Sequence, residues 1–518
     1  MHLRWSYVCG RRLLWLPLYG ALSATGQGPS GDKVVIPKTW DDAAMATLEL
    51  PLAYPAGSPK HVSSEYYYRI PVRPIYKQYP VYAPGREPAG YWEWLKQQDS
   101  AIVWDDKGQK PELDTDEDWI KAGAIAFDAP NIISIDNSAG GISVDEVRSK
   151  TWYEEGSVPV ASNGVVPFFS YVIREKGKVE LGQFACGMCH TRVMPDGSIL
   201  KGAQGNFNLE KAEARAANYG GAPPEVSRVI KRLLWAVPWL KPDPLDRQLT
   251  MTPDQLFKLQ QMMPSGVMSR HRSSPIYPVQ VQDLIGVKDR AYLDRTGLQQ
   301  HRSTVDLMRY AALNQGGDFL ANFDGFIPLG GPDFSRLPDP ANPLVGGRYS
   351  DEQLFALARY VYSLKPPPNP NKMDETVAKG AKLFELEGCS KCHVPPLYSN
   401  NKLTPADGFV VPPGAAEKYR IAPKGVGTDP GLAMKTRRGT GYYKVPSLRG
   451  VWYRSMFGHS GWCATLEDWF DPKRLNDDYV PTGFKPNGNA PYPVKGHPFG
   501  LDLTNEERKE LIAFLKTL

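Results

Sequence analysis

The chain carries the same five-residue pattern twice, Cys186-Gly187-Met188-Cys189-His190 and Cys389-Ser390-Lys391-Cys392-His393. In C-x-x-C-H, one turn of backbone presents two thiols that can add across the vinyl groups of a haem, and the adjacent histidine is set beneath the iron as its proximal ligand. With 6 Cys and 8 His in 518 residues, a chance match is expected at roughly the 10⁻³ level, so two copies are very specific. The rivals are a thioredoxin-like dithiol and a zinc knuckle. A dithiol has no use for a histidine after each second cysteine, and a zinc site would rarely lie so far from its partner pair. Cys186, Cys189 and His190, and Cys389, Cys392 and His393, are therefore the expected holders of two covalent haem c groups, with His190 and His393 on the iron.

Toward the N-terminus, Arg4, Arg11 and Arg12 precede the apolar run Leu13 to Leu22, and small residues from Ser23 to Gly26 offer a cleavage site. Residues 1–26 thus read as a secretory signal peptide, the alternative being a buried N-terminal helix. Cys9 precedes the apolar run, which disfavours a lipoprotein signal, and only Cys463 then stands outside the pentads. Such usage in an exported chain is not a disulfide framework, and a periplasmic or secreted bacterial location is expected. No later run of about 18 apolar residues occurs, so the mature chain is expected to be soluble and not membrane-spanning. The formal net charge of +5 falls by three once Arg4, Arg11 and Arg12 are removed. That balance gives no footing for nucleic acid or a membrane surface. An apolar content of 42% with 13 Trp supplies packed cores, while 48 Gly and 48 Pro imply short elements and many loops.

The expected architecture is mainly α, with two cytochrome c-like haem domains and an irregular N-terminal extension containing some short β-strands. The extension, 27–175, is rich in Tyr, Pro and Trp. Within it "EYYYRIPVRPIYKQYPVYAP" alternates as short strands or extended chain, and Thr115 to Phe127 reads as a helix with an acidic first turn. The first haem domain, 176–366, has helical patterns at Pro223 to Val237, Thr252 to Met262, Ser303 to Leu313 and Asp351 to Leu364. The run Lys365-Pro366-Pro367-Pro368-Asn369-Pro370 breaks the last of these and marks a boundary. In the second haem domain, 373–518, helices at Thr376 to Leu386 and Asn505 to Leu518 bracket the second pentad.

What stands on the far side of each iron decides function, because a sixth strong ligand makes an electron-transfer haem and an open position admits peroxide or dioxygen. Setting aside His2 and the two proximal histidines leaves His61, His271, His301, His459 and His497.

"YYKVPSLRGVWYRSMFGHSGWCATLEDWFDP", "AKGAKLFELEGCSKCH" and "LTNEERKELIAFLKTL" resemble the bacterial di-haem cytochrome c peroxidases, whose matching segment runs P-x-L-R-N-V, T-A-P-Y-F-H-D-G, T-L-E. The wider group includes the methylamine-utilisation di-haem enzyme and the rubber oxygenases, and "KGHPFGLDL" is most similar to the last. The resemblance is strong over 373–518 and weaker over 180–340. It implies His497 as sixth ligand of the second haem, with His459 supporting the ligand loop and Met456 too near that motif to serve instead. It implies a calcium ion between the domains, at Asn206 and the carbonyls of Arg454 and Met456. Peroxidases carry a displaceable histidine shortly after the first pentad, where this chain has "TRVMPDGSILKGAQGN". An open first haem follows unless His271 or His301, both in surface-like contexts, folds over it. Leu293 stands where the family has an electron-passing tryptophan, leaving Tyr292 as the candidate. Arg437, Arg438 and Arg449 either pair with propionates of the second haem or form a solvated loop. Glu210 and Glu213 are near enough to be distal acids but read better as surface helix positions. The expected activity is peroxide reduction or dioxygen-dependent oxidation at the first haem, with a small redox protein exchanging electrons through the second. A pure electron carrier is the alternative and a gas sensor a third reading.

Overall fold

Helix starts fall where the sequence supplies an oxygen-bearing cap. Thr115 opens Asp116–Asp128, Thr252 opens Pro253–Gln261, Ser350 opens Asp351–Ser363 and Thr504 opens Asn505–Lys516, each with a reciprocal bond from the residue three positions on. Asp374 caps Glu375–Leu386, and Thr304–Gly316 completes the longer helices. The computed structural model describes residues 34–136, 141–212, 214, 231, 232, 234–269, 272–316, 320–326 and 347–518. The signal-peptide reading, His271, Glu213 and most of the helix expected at Pro223 to Val237 lie outside them. Among the described residues no helix is long and apolar enough to cross a membrane.

Helices carry most of the regular structure, and the sheets are small. The largest is antiparallel in the order Gln78–Tyr82, Val165–Glu175, Lys178–Gln183, Ile132–Ser134. The expectation of extended chain over the tyrosine-rich stretch holds for Ile75–Tyr76 and Gln78–Tyr82 but not before them. Ser64–Arg69 is a short helix, because the Ser63 side chain accepts from Tyr66 N. Val165–Glu175 is the longest strand and is buried along most of its length. It turns at Gly177 into Lys178–Gln183, which hands the chain directly to the first pentad. Behind this hairpin Phe168, Phe169, Phe207 and Trp152 form an aromatic cluster on which Met188 of the first pentad also packs.

Two helix pairs frame the pentads, and each crosses at a glycine. Asp116–Asp128 lies on Asp351–Ser363, with Trp119 edge-on to Phe355 and Gly123 against the Ala356 carbonyl. Glu375–Leu386 lies on Asn505–Lys516, with Gly380 against the Glu510 carbonyl and the Phe514 Cβ. A Cβ at either glycine would overlap backbone oxygen. Gly380→Ala should therefore lower the unfolding free energy by about 1–3 kcal/mol through overpacking, despite the helix propensity gain of roughly 1 kcal/mol. Urea unfolding followed by far-UV circular dichroism checks this, and an unchanged or raised midpoint would contradict it.

Candidate functional site: two histidine-bearing pockets

Both pentads close with the same bond. His190 N–H donates to the Cys186 carbonyl at 3.0 Å and His393 N–H to the Cys389 carbonyl at 2.8 Å, so two cysteines and a histidine share one turn. The imidazoles are oriented alike as well. His190 Nδ1 lies 2.9 Å from the Gln282 carbonyl and His393 Nδ1 3.0 Å from the Tyr398 carbonyl. A carbonyl only accepts, so Nδ1 carries the proton and Nε2 the lone pair, the arrangement found in metal-ligating histidines.

The second pentad borders a cavity of about 200 Å³ whose lining includes Cys389, Cys392, His393 and His497. Its walls are largely apolar, with Phe384, Val451, Phe470 and Leu511 among them, while Arg295, Lys444 and Arg454 lie on its lining too. The rings of His393 and His497 have centroids 6.4 Å apart. Two imidazoles each about 2.0 Å from one metal ion and facing each other across it would have ring centres about 6.3 Å apart, so the pair fits a shared metal. An apolar slot with cationic side chains, two cysteines and paired imidazoles also suits a flat macrocycle bearing carboxylates.

His497 does not owe its place to its own backbone preference, for it has φ 47°. Its N–H donates to the Val426 carbonyl at 2.7 Å, and its ring packs on Trp469 and Phe499. Arg474, fully buried, then grips the loop: it donates to the carbonyls of Trp469 (2.8 Å), Val494 (2.6 Å), Gly496 (2.9 Å) and His497 (2.7 Å). Burial, with the neighbouring His393 and Arg474, pushes the His497 imidazole down to about 3, which keeps it a neutral donor. Sequence reading passed over Arg474, since a lone arginine beside a proline-containing turn carries no visible mark of four carbonyl contacts.

The other histidines go elsewhere. His61 is buried against Glu49 at 3.2 Å and edge-on to Trp40. His301 engages the Arg290 carbonyl at 2.7 Å and the Tyr362 hydroxyl at 2.6 Å. His459 stacks on Tyr443 at 3.8 Å in the wall of the second cavity. Met456 packs in a separate apolar cluster with Trp462 and is not among the residues lining that cavity.

The first pentad borders a smaller cavity, of about 40 Å³. Cys189 and His190 face Met268, Leu293, Tyr310, Leu432 and an Asp294–Arg438 ion pair of 3.4 Å. Among its described lining residues His190 is the sole imidazole. Met268 was not singled out from sequence, although among the described lining residues its thioether is a soft donor outside the pentad. Leu293 lines this cavity, whereas Tyr292 does not, its hydroxyl donating to the Tyr419 carbonyl at 2.5 Å.

Two expectations change. Arg437 and Arg438 are buried, not a solvated loop, and neither lines the second cavity: Arg438 belongs to the first, and Arg437 lies over Phe323 and Phe326. Arg449 is exposed. Glu210, expected at the surface, is buried, and Ser269 satisfies its carboxyl oxygens through N–H (2.5 Å) and hydroxyl (2.9 Å) bonds.

Burial pushes the Glu210 carboxyl from 4.5 up to about 7, so in that window the folded chain holds a proton that the unfolded chain has released. Stability falls as pH rises through the window, and the penalty is complete above it. Glu210→Gln keeps an acceptor for Ser269 and should remove that fall, leaving the variant about 2–4 kcal/mol more stable than the parent near pH 8. A stability difference that stays constant between about pH 4 and 8 would contradict the assignment.

For the calcium ligands, Asn206 spends its amide on Val193, accepting from N–H at 3.1 Å and donating to the carbonyl at 2.9 Å. Its neighbour Gln204 accepts from Ser455 N–H at 3.0 Å, which brings this segment beside Arg454 and Met456. No cluster of three or more His, Cys, Asp or Glu suited to a metal ion occurs among the described residues.

No family model and no curated protein matches the sequence. Among solved structures the chain is similar to hydrazine synthase from Kuenenia stuttgartiensis, at 16% identity over 57% of this chain and 87% of that one, with a TM-score of 0.27. It is also similar to a MauG-like protein associated with microbial copper homeostasis, at 21% identity over 32% of this chain and 56% of that one, with a TM-score of 0.22. Likenesses this slight leave the functional reading to the site's own residues.

Proposed function

We propose that the chain is a periplasmic di-haem c-type cytochrome of the peroxidase-like group, acting as an oxidoreductase on hydrogen peroxide or dioxygen. The observation that carries the reading is the contrast between its two pockets. His393 faces a second imidazole, His497, across an apolar cavity, whereas His190 shares its cavity with no other described histidine. Cys186 and Cys189 would hold the first haem and Cys389 and Cys392 the second, each as part of a small cytochrome c-like domain. A haem supplies redox chemistry when bound: with two imidazoles it exchanges electrons, and with one it leaves a position for an oxidant.

The chain's own residues divide the work. Gln282 and Tyr398 carbonyls fix the proximal tautomers, Arg474 holds the His497 loop, and Met268, Leu293 and Leu432 restrict water beside His190. A small redox protein would exchange electrons with the second haem. The assay is turnover of peroxide, or consumption of dioxygen, with a one-electron donor by the haem-loaded protein. Turnover abolished by His190→Gly supports the reading, and no turnover with either oxidant counts against an enzyme.

Met268 on the first cavity wall favours a second reading, a pure electron carrier in which thioether and imidazole both bind the first iron. Met268→Ala separates the two. It converts a low-spin haem to high-spin only if the sulfur is a ligand.

A further inference from the structure

A third cavity adjoins the two pockets, and cations outnumber anions on its lining. Arg290, Arg295, Lys444 and Arg454 all border it. Arg295 also borders the cavities of both pentads, and Lys444 and Arg454 that of the second. The carboxylate on its wall, Asp283, is already engaged: it accepts from Ile285 N–H at 2.7 Å and from the Tyr453 hydroxyl at 2.5 Å. Asp294, near Lys444, is turned to Arg438. The Nε–H groups of Arg290, Arg295 and Arg454 are buried without a hydrogen-bond partner. Burial, with Arg454 and Arg290 alongside, pushes Arg295 down to about 9, and burial with Arg290 and Arg295 pushes Lys444 well down. Other N–H groups are already spent on backbone carbonyls, Arg290 on Asp283 and Ile285, Lys444 on Tyr292 and Arg454 on Ser447 and Arg449. These carbonyls carry no formal charge, and half-buried cations that repel one another and keep unpartnered Nε–H donors call for anions.

We propose that Arg290, Arg295, Lys444 and Arg454 form one carboxylate-binding site that would take the propionates of both cofactors, with Arg295 common to the two, and that it replaces the divalent cation the resemblance implies. The proposal rests on the di-haem reading. Each haem c brings two propionates, so the four cations are matched in number. The calcium position fits a metal ion poorly. Asn206 is committed to Val193, and the segments a calcium ion would bridge are joined instead by amides, Gln204 accepting from Ser455 N–H and Gln280 donating to the Ser455 carbonyl at 3.4 Å. The Arg454 guanidinium alongside adds a repulsive charge for any cation.

The test is spectroelectrochemical titration of the purified holoprotein after its haem count and calcium content are measured. Expected are two covalent haems, no stoichiometric calcium, and two reduction potentials that EGTA does not move. Arg295→Gln should shift both potentials downward, because losing a nearby positive charge favours the ferric state of each haem. Arg454→Gln should shift mainly the His393 haem. Lys444→Met serves in place of Arg295→Gln if that variant does not fold, with the His393 haem as its principal readout. A free anion in the site, rather than the cofactors' own carboxylates, would make the potentials of dialysed protein depend on added phosphate or acetate, and that result would overturn the proposal. So would stoichiometric calcium whose removal moves the potentials, or an Arg295→Gln variant in which one potential or neither moves. A wild-type count below two haems would overturn the di-haem reading itself, and the proposal with it.

Discussion

Cys186→Ala and Cys389→Ala are each expected to lower the covalent haem content from two per chain toward one in the pyridine haemochrome assay. The reason is chemical, since a thioether needs a thiol at that position and alanine supplies none. The two losses should differ in their wider effect. Cys389 and Cys392 border the large cavity with Phe384, Phe470 and Leu511, so that part of the core is completed by what fills it. A void of this kind forfeits packing on every wall. Poor yield is expected of both variants, and the Cys389→Ala protein should also show the larger drop in melting temperature. The remaining cysteine can still form one thioether, so an unchanged count of two in either variant together with an unshifted haemochrome α band, which shows no freed vinyl group, would remove that pentad from the assignment.

His497→Gly is expected to keep both haems attached while converting one of them from low-spin to high-spin. The imidazole opposite His393 is lost, and among the described residues lining the cavity the remaining histidine, His459, is stacked on Tyr443. Replacing a strong sixth ligand by water or a weaker donor should raise that haem's potential. Activity should fall through impaired electron supply although the His190 pocket is untouched. Arg474→Gln should give a weaker version of the same result, because three carbonyls of the His497 loop, Val494, Gly496 and His497, lose the donor that also ties them to the Trp469 carbonyl. Retention of the wild-type low-spin electron paramagnetic resonance signal in His497→Gly would make His497 a bystander, and His459 or Met456 would then have to be tested.

Much of the helical framework was legible because capping is local. The helices expected at Thr115 to Phe127, Thr252 to Met262 and Asn505 to Leu518 are present, each opened by a cap that bonds residues three apart, Thr115 with Asp118, Thr252 with Gln255 and Thr504 with Glu507. The pentads were legible for the same reason, five consecutive residues carrying a whole chemical arrangement. His497 was reached only through the resemblance, since nothing around it in sequence distinguishes a ligand from a loop histidine. Val165–Glu175 was hidden by the run of buried aromatic and β-branched residues, which lacks the alternation that marks a half-exposed strand. The cation cavity was least legible. Arg290 and Arg295 come from one segment and Lys444 and Arg454 from another, and only tertiary packing brings them to a shared void. Glu210 and Arg437 misled for a related reason: a charged residue reads as surface until its buried partner, Ser269 or the Phe323 ring, is in view.

The contrast between the pockets is tested most directly by titrating the reduced protein with carbon monoxide and counting how many haems respond in the Soret band. One carbon monoxide per chain, with the second haem's low-spin spectrum unchanged, is the expected result, and it should become two in His497→Gly. No binding at all would mean that both irons are closed by protein ligands, and the open pocket at His190 would have to be abandoned in favour of an electron carrier.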